Sequence, residues 1–229
     1  MQRGARCPAR RMTNETFYID AATVPVTSAR PLLIVDADEV LLAFARGFDK
    51  FLGQRGCYLD LVSYRLHGNV RRIDDKSALI DIEVTGLLDE FREALDWLEP
   101  VEGARDAIAD LACDMDVVVV SNVSAAQAPA RLKNLAALGM TVPLLANSGP
   151  KGPAVKTLAR RAGKPVFFVD DIPMHHASVA EHAPDVIRIH FVGDERLKAL
   201  LAPSPHAHVR LDDWAAASAF VRGRLAERG

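Results

Sequence analysis

Residues 32–42 read LLIVDADEVLL: four apolar residues run straight into two acids one position apart, Asp36 and Asp38, with Glu39 directly behind. The apolar half has no polar alternation and is rich in β-branched and leucine side chains, the habit of a strand covered on both faces of a parallel sheet. Two further runs have the same character, Val117-Val118-Val119-Val120 and Val166-Phe167-Phe168-Val169. Each of the three ends in polar residues at its carboxyl end: Asp36, Ser121, and the doublet Asp170-Asp171. In open α/β sheets the ligand crevice lies just beyond those ends, so residues far apart in sequence are expected to converge on one pocket. One strand ending in Asp is also what a helix N-cap or a turn looks like. Three such strands in one sheet point to a site.

Weaker strand candidates are Val142 to Ala146, Val186 to His190 and His208 to Leu211. Helical periodicity separates the runs. Ala104, Ala107, Ile108, Leu111 and Ala112 share one face, as do Val155, Leu158, Ala159 and Ala162, and Gln127 to Leu138 reads as a third helix stopped by Gly139. Strand alternating with helix predicts a doubly wound, mainly parallel, Rossmann-like α/β sheet. More than sixty residues lie between the first strong strand and the helix near Gly103, too many for a crossover. That interval has its own helical patterns, Phe44, Phe48, Phe51 and Leu52, then Leu87, Leu88, Phe91, Leu95 and Leu98, closed by Pro100. It is read as a mostly helical cap over residues 42–99, hinged on two connections to a core of residues 31–41 and 100–229; Tyr58 to Ile82 within it carries no assignable pattern. Residues 1–30 are read as an N-terminal extension, partly disordered. The arginine-rich start up to Met12 fits a disordered extension or a transit segment, and Met12 is an alternative start.

Composition narrows the classes. With 49% hydrophobic and 25% charged residues in 229, the chain can bury a full core and support a small second domain. The net charge of −2 predicts no electrostatic grip on nucleic acid or an anionic membrane. Cys7, Cys57 and Cys113 are odd in number and lack metal-ligand spacing, which fits reduced thiols in the cytoplasm. No apolar run approaches a spanning helix, and no secretory signal follows the early arginines.

Four separated motifs, LLIVDADEVLL, Ser121 in VVVVSN, Lys151 in SGPKGPAV and the doublet in VFFVDDIP, together resemble the haloacid dehalogenase-like hydrolases, over Pro31 to about Asp194. The resemblance implies a phosphohydrolase in which Asp36 is the nucleophile, forming an aspartyl-phosphate, and Asp38 the general acid/base. Members that cleave carbon–halogen bonds lack an acid at the Asp38 position, so its presence favours phosphate chemistry. The resemblance also implies Ser121, Lys151 and the N–H of Asn122, at a helix start, as phosphate contacts. Mg²⁺ is the implied cofactor, because hard oxygens are offered: Asp36, the Asp38 carbonyl, and Asp170 and Asp171, with Asp171 the direct ligand and Asp170 acting through water. The commoner pattern has a further acid four residues on from the metal-binding Asp; here that position is His175.

Read alone, Ser121 is equally an N-cap, Lys151 a surface lysine and the doublet a helix cap. His175 and His176 read as a helix start with one imidazole exposed, and His206 and His208 as non-catalytic. In the cap, Arg55, Arg65, His67, Arg71, Arg72 and Lys76 form a basic stretch, mostly solvated, from which one or two side chains can reach a substrate's anionic group. The expected partner is a small phosphate ester. A phosphomutase using the same aspartates, or a binding protein that has lost turnover, are the rival readings.

Overall fold

The computed structural model describes residues 16–227. Along the chain lie β1 (Phe17–Tyr18), β2 (Leu32–Val35), α1 (Phe44–Gly53), β3 (Cys57–Leu59), β4 (Val70–Arg72), α2 (Asp81–Arg92), α3 (Ala104–Leu111), β5 (Asp116–Ser121) and α4 (Ala128–Ala137). There follow β6 (Leu144–Ala146), α5 (Gly152–Arg161), β7 (Val166–Asp170), α6 (Pro173–His182), β8 (Ile187–His190), α7 (Glu195–Lys198), β9 (Val209–Arg210) and α8 (Trp214–Ala226).

Seven strands form one parallel sheet in the order β1-β6-β5-β2-β7-β8-β9. The three apolar runs are its centre, and their side chains alternate between two buried layers. Leu33, Val35, Val117, Val119, Phe167 and Val169 face one cluster; Leu32, Ile34, Val118, Val120, Val166 and Phe168 face the other. Helices α3, α4 and α8 cover the first face and α5 and α6 the second. Each such side chain, fully buried, contributes on the order of 1.5–3 kcal/mol, which is why unbroken apolar strands mark a sheet wrapped on both sides. Gly139 ends α4 at φ 80°, with Met140 N bonded to the Leu135 carbonyl and Gly139 N to that of Ala136, a turn that favours a residue without Cβ. Among the described residues no helix is long and apolar enough to cross a membrane.

Part of the segment set ahead of the core belongs to the sheet. Phe17 and Tyr18 pair with Leu144 and Leu145 at its edge, and Val24 is fully buried. A two-residue edge strand has no periodicity to read, which is why the sequence hid it. The questions of a transit segment, of Met12 as the start and of Cys7 fall outside the described residues.

Residues 42–99 leave and rejoin the core through linkers that run side by side: Ala43 N donates to the Glu99 carbonyl and Val101 N to that of Leu41, each at 2.9 Å. Within this cap, Phe91 on α2 packs its ring against Phe44, Phe48 and Phe51 of α1 at centroid distances of 5.1–5.3 Å. Two features differ from the sequence reading. The segment without assignable pattern holds a small antiparallel sheet, β3 with β4. Helix α2 ends at Arg92, so Leu95 and Leu98 are buried from turns rather than from a helix.

Candidate active site

Strands β2, β5 and β7 are neighbours in register, with Val35 opposite both Val119 and Val169. Their carboxyl ends are therefore level, and Asp36, Ser121 and Asp170 leave the sheet at the same edge. Lys151 arrives from the start of α5. Its ammonium lies 2.5 Å from Oδ1 of Asp36 and 2.7 Å from Oδ2 of Asp170, and the side chain is 1% exposed. Burial disfavours the lysine's charge, but Asp170 and Asp36 outweigh it and hold the pKa above the ordinary lysine value. The carboxyl of Asp36 is raised by burial, opposed by Lys151. Gly152 explains how Lys151 is aimed: α5 approaches α6 so closely that a Cβ there would lie 2.4 Å from the carbonyl oxygen of Ser178, while the Gly152 N–H donates to the Ser178 hydroxyl at 3.1 Å.

Asp170 uses both oxygens within the protein, one on Lys151 and the other accepting from Ile172 N at 2.9 Å as α6 begins. Asp171 accepts from the Tyr64 hydroxyl through Oδ2. Two buried histidines hold the backbone of the doublet: His176 Nε2 lies 2.9 Å from the Asp170 carbonyl and His190 Nε2 3.0 Å from that of Asp171. Ser204 N donates to Nδ1 of His190, which fixes its Nε2 as the protonated donor. Among the described residues, Asp36, Asp170 and Asp171 bring one oxygen each within 4.8 Å of one another, a spacing and an all-oxygen donor set suited to a hard divalent cation.

Asp38, with its side chain 32% exposed, lies 2.6 Å from the guanidinium of Arg131, which is fully buried. Burial raises the Asp38 carboxyl, opposed by Arg131. Arg131 was not singled out from the sequence, yet a signal exists: with Ala128, Leu132 and Leu135 it shares the i, i+3, i+4, i+7 spacing of the buried face of α4. A charge on that stripe needs a partner. Glu39, read only as part of an acidic turn, is also buried, at φ 60°; its Oε1 accepts from Ala45 N at 2.5 Å and its Oε2 has no hydrogen-bond partner among the described residues. Burial pushes its pKa up to about 8.

Ser121 is fully buried and its hydroxyl has no hydrogen-bond partner among the described residues, an expense of desolvation that a bound oxygen would offset. The expected helix start at Asn122 is absent, because α4 begins only at Ala128 and residues 122–127 form the turn between. The Asn122 side chain instead ties that turn to the lysine loop, donating to the Gly149 carbonyl at 3.1 Å and accepting from Asn147 at 2.7 Å. His175 and His176 are both buried, so neither imidazole is the exposed one expected. The reason is that α6 packs its first turn inward, against Asn122 on one side and Phe168 and His190 on the other.

A cavity of about 270 Å³ is lined by Asp36, Asp38, Glu39, Lys151 and Asp171 from the core and by Tyr64, Arg65 and Arg92 from residues 42–99; Ser121 and Asp170 are not among its lining residues. Larger hollows of about 620 and 830 Å³ elsewhere contain none of the converging acids. Tyr64, whose hydroxyl reaches 107 residues along the chain to Asp171, had no local signature in sequence.

No family profile and no curated sequence relative matches the chain. Solved structures do. A conserved haloacid dehalogenase-like protein of unknown function from Agrobacterium tumefaciens superposes with a TM-score of 0.59 at 17% identity, over 86% of this chain and 99% of that one. A candidate HAD-hydrolase of Bacillus subtilis, described as bound to magnesium, gives 0.56 at 12% identity over 84% and 98%. A candidate β-phosphoglucomutase from Bacteroides vulgatus gives 0.52 at 13% identity over 86% and 89%. At these identities the likeness is one of fold.

Proposed function

Given that the chain has the fold of the haloacid dehalogenase-like hydrolases, we propose that it is a Mg²⁺-dependent phosphohydrolase acting on a small phosphorylated metabolite in the cytoplasm, through an aspartyl-phosphate on Asp36. The observation that carries this reading is the buried lysine bridging Asp36 and Asp170 at the level where three central strands end, one of them in Ser121, whose buried hydroxyl has no hydrogen-bond partner among the described residues.

In the first step an Asp36 oxygen attacks phosphorus as the bond to the ester oxygen breaks. The departing oxygen takes a proton from the Asp38 carboxyl, which burial favours in its protonated form. The resulting Asp38 carboxylate then takes a proton from water, whose oxygen attacks phosphorus and frees Asp36, releasing inorganic phosphate. Lys151 offsets negative charge on Asp36 and the phosphoryl group, and Ser121 donates to a phosphoryl oxygen. Asp36, Asp171 and the Asp38 carbonyl would hold Mg²⁺, with Asp170 behind them; the cation supplies positive charge that lets an anionic nucleophile meet an anionic ester. His175, where the commoner pattern has an acid, adds no carboxylate to that set.

Assay of p-nitrophenyl phosphate with Mg²⁺, reading released inorganic phosphate, tests the proposal and separates hydrolysis from return of the phosphoryl group to a bound intermediate. Turnover abolished in Asp36→Asn is the expected result. A folded protein inert on this compound and on a broad panel of phosphate esters would leave a binding role instead.

A further inference from the structure

The basic residues of the cap are not equivalent. Arg55 is paired with Glu90, Arg71 with Asp60 and Arg72 with Glu83; Lys76 lies over the Tyr58 ring and His67 meets Thr85. Arg65 makes no ion pair among the described residues and lines the cavity. Arg92, the last residue of α2, lines it too, and its nearest carboxylate, Asp89, is 3.8 Å away between two exposed side chains. Such a pair contributes almost nothing. Among the described residues, two guanidiniums from separate elements of residues 42–99 thus stand without a close carboxylate at a cavity that also contains Asp36.

Arg65 is braced through its backbone. The loop carrying Arg65 is held by Asn69, 1% exposed, whose side-chain amide donates to the carbonyls of Ser63 and Arg65 at 2.8 and 2.6 Å. The neighbouring residue, Tyr64, is docked on Asp171. Below, Lys151 is the cationic side chain among the carboxyl groups of Asp36, Asp38, Glu39 and Asp171, so a phosphoryl group held there leaves a second anionic group on the same molecule to find its cations elsewhere. Arg65 and Arg92 offer it a place, with the planar forks that match carboxylate and phosphate oxygens. The walls between are partly apolar, from Phe44, Leu61, Leu66 and Leu197, and the volume is at the small end for ligand sites.

Resting on the phosphohydrolase reading, we propose that the substrate is a short-chain phosphate ester with a second anionic group, a carboxylate or another phosphate, read by Arg65 and Arg92. The test is calorimetric binding, in Mg²⁺, of three non-hydrolysable compounds with the same carbon chain: propylphosphonate, 3-phosphonopropionate and propylene-1,3-bisphosphonate. The wild-type protein should bind at least one doubly anionic compound tenfold or more tightly than propylphosphonate, and which one identifies the second group. In Arg65→Gln and Arg92→Gln that preference should shrink towards unity. Equal affinity for all three in the wild type, or a preference retained in both variants, overturns the proposal. Because binding is read without turnover, a protein that discriminates the phosphonates but releases no phosphate from aryl phosphate or from the ester panel would sink the hydrolase reading and leave Arg65 and Arg92 as the contacts of a second anionic group on a bound ligand.

Discussion

Arg131 and Asp38 form a mismatched pair: the guanidinium is fully buried, while the carboxylate 2.6 Å away is a third exposed to the cavity. Among the described residues Asp38 is the carboxyl that Arg131 meets, so the arginine fixes where the Asp38 side chain sits. If Asp38 is the proton donor, Arg131 is the residue that positions it. Asp38→Asn should lose about 10²–10⁴-fold in kcat on alkyl phosphates, whose leaving oxygen needs a proton, and far less on p-nitrophenyl phosphate. Arg131→Met should show the same selective loss in smaller measure, and little further loss in the Asp38→Asn background. A loss equal for both leaving groups would mean that Arg131 acts only on folding.

Lys151 lies between two buried carboxylates. Lys151→Met removes the cation and strands both, and breaking a buried pair in this way costs about 3–5 kcal/mol. For a chain of this size that is a fall in melting temperature of roughly 6–20 °C without divalent metal. Millimolar Mg²⁺ should recover part of it while activity stays lost. Scanning calorimetry with and without Mg²⁺ measures both, and an unchanged melting temperature would contradict the bridge.

Two buried groups pull stability in opposite directions with pH. His176 is pushed down to about 3, burial being the main cause. Below about pH 6.5 the unfolded chain takes a proton that the folded histidine refuses, so its contribution falls as pH falls towards 3. Glu39, raised to about 8, keeps in the folded state a proton that the unfolded chain gives up near pH 4.5; its contribution is full below that and declines as pH rises to 8. Asp36, Asp38 and Asp171, also raised by burial, act in the same sense as Glu39. Between pH 6.5 and 8, metal-free Glu39→Gln should lose stability less steeply than wild type, by about 1.4 kcal/mol per pH unit in urea titrations. Parallel slopes would refute the assignment to Glu39.

Burial as the leading cause of the raised Asp36 and Asp171 carboxyls also fixes the sign of metal linkage. A divalent cation binds the ionised forms, so its uptake should release protons and weaken as pH falls. Mg²⁺ titrations in two buffers of different ionisation enthalpy should give different apparent heats near neutral pH. Identical heats would show that no proton leaves.

The sheet was legible because its central strands are apolar on both faces, and the order of residues at their ends was enough to gather Asp36, Ser121 and Asp170 at one edge. Lys151 was legible only through its motif; the glycine that lets α5 approach α6 became meaningful with Ser178 in view. Arg131 was written in the periodicity of α4 as a charge on an apolar stripe. Tyr64 was not written anywhere, since a contact across 107 residues from an irregular loop leaves no local pattern. The same holds for the choice among the cap arginines, which depends on which have acids beside them.

The two halves of the molecule are held with unequal firmness. The carboxyl ends that assemble the acids belong to the three innermost strands, whereas residues 42–99 meet the core through paired linkers, the Tyr64 hydroxyl, the Asn134 amide on the Leu98 carbonyl, and the surface ion pairs Asp96–Lys133 and Asp49–Arg196. On warming, the side chains that residues 42–99 present to the cavity should therefore drift away before the acids at the strand ends separate.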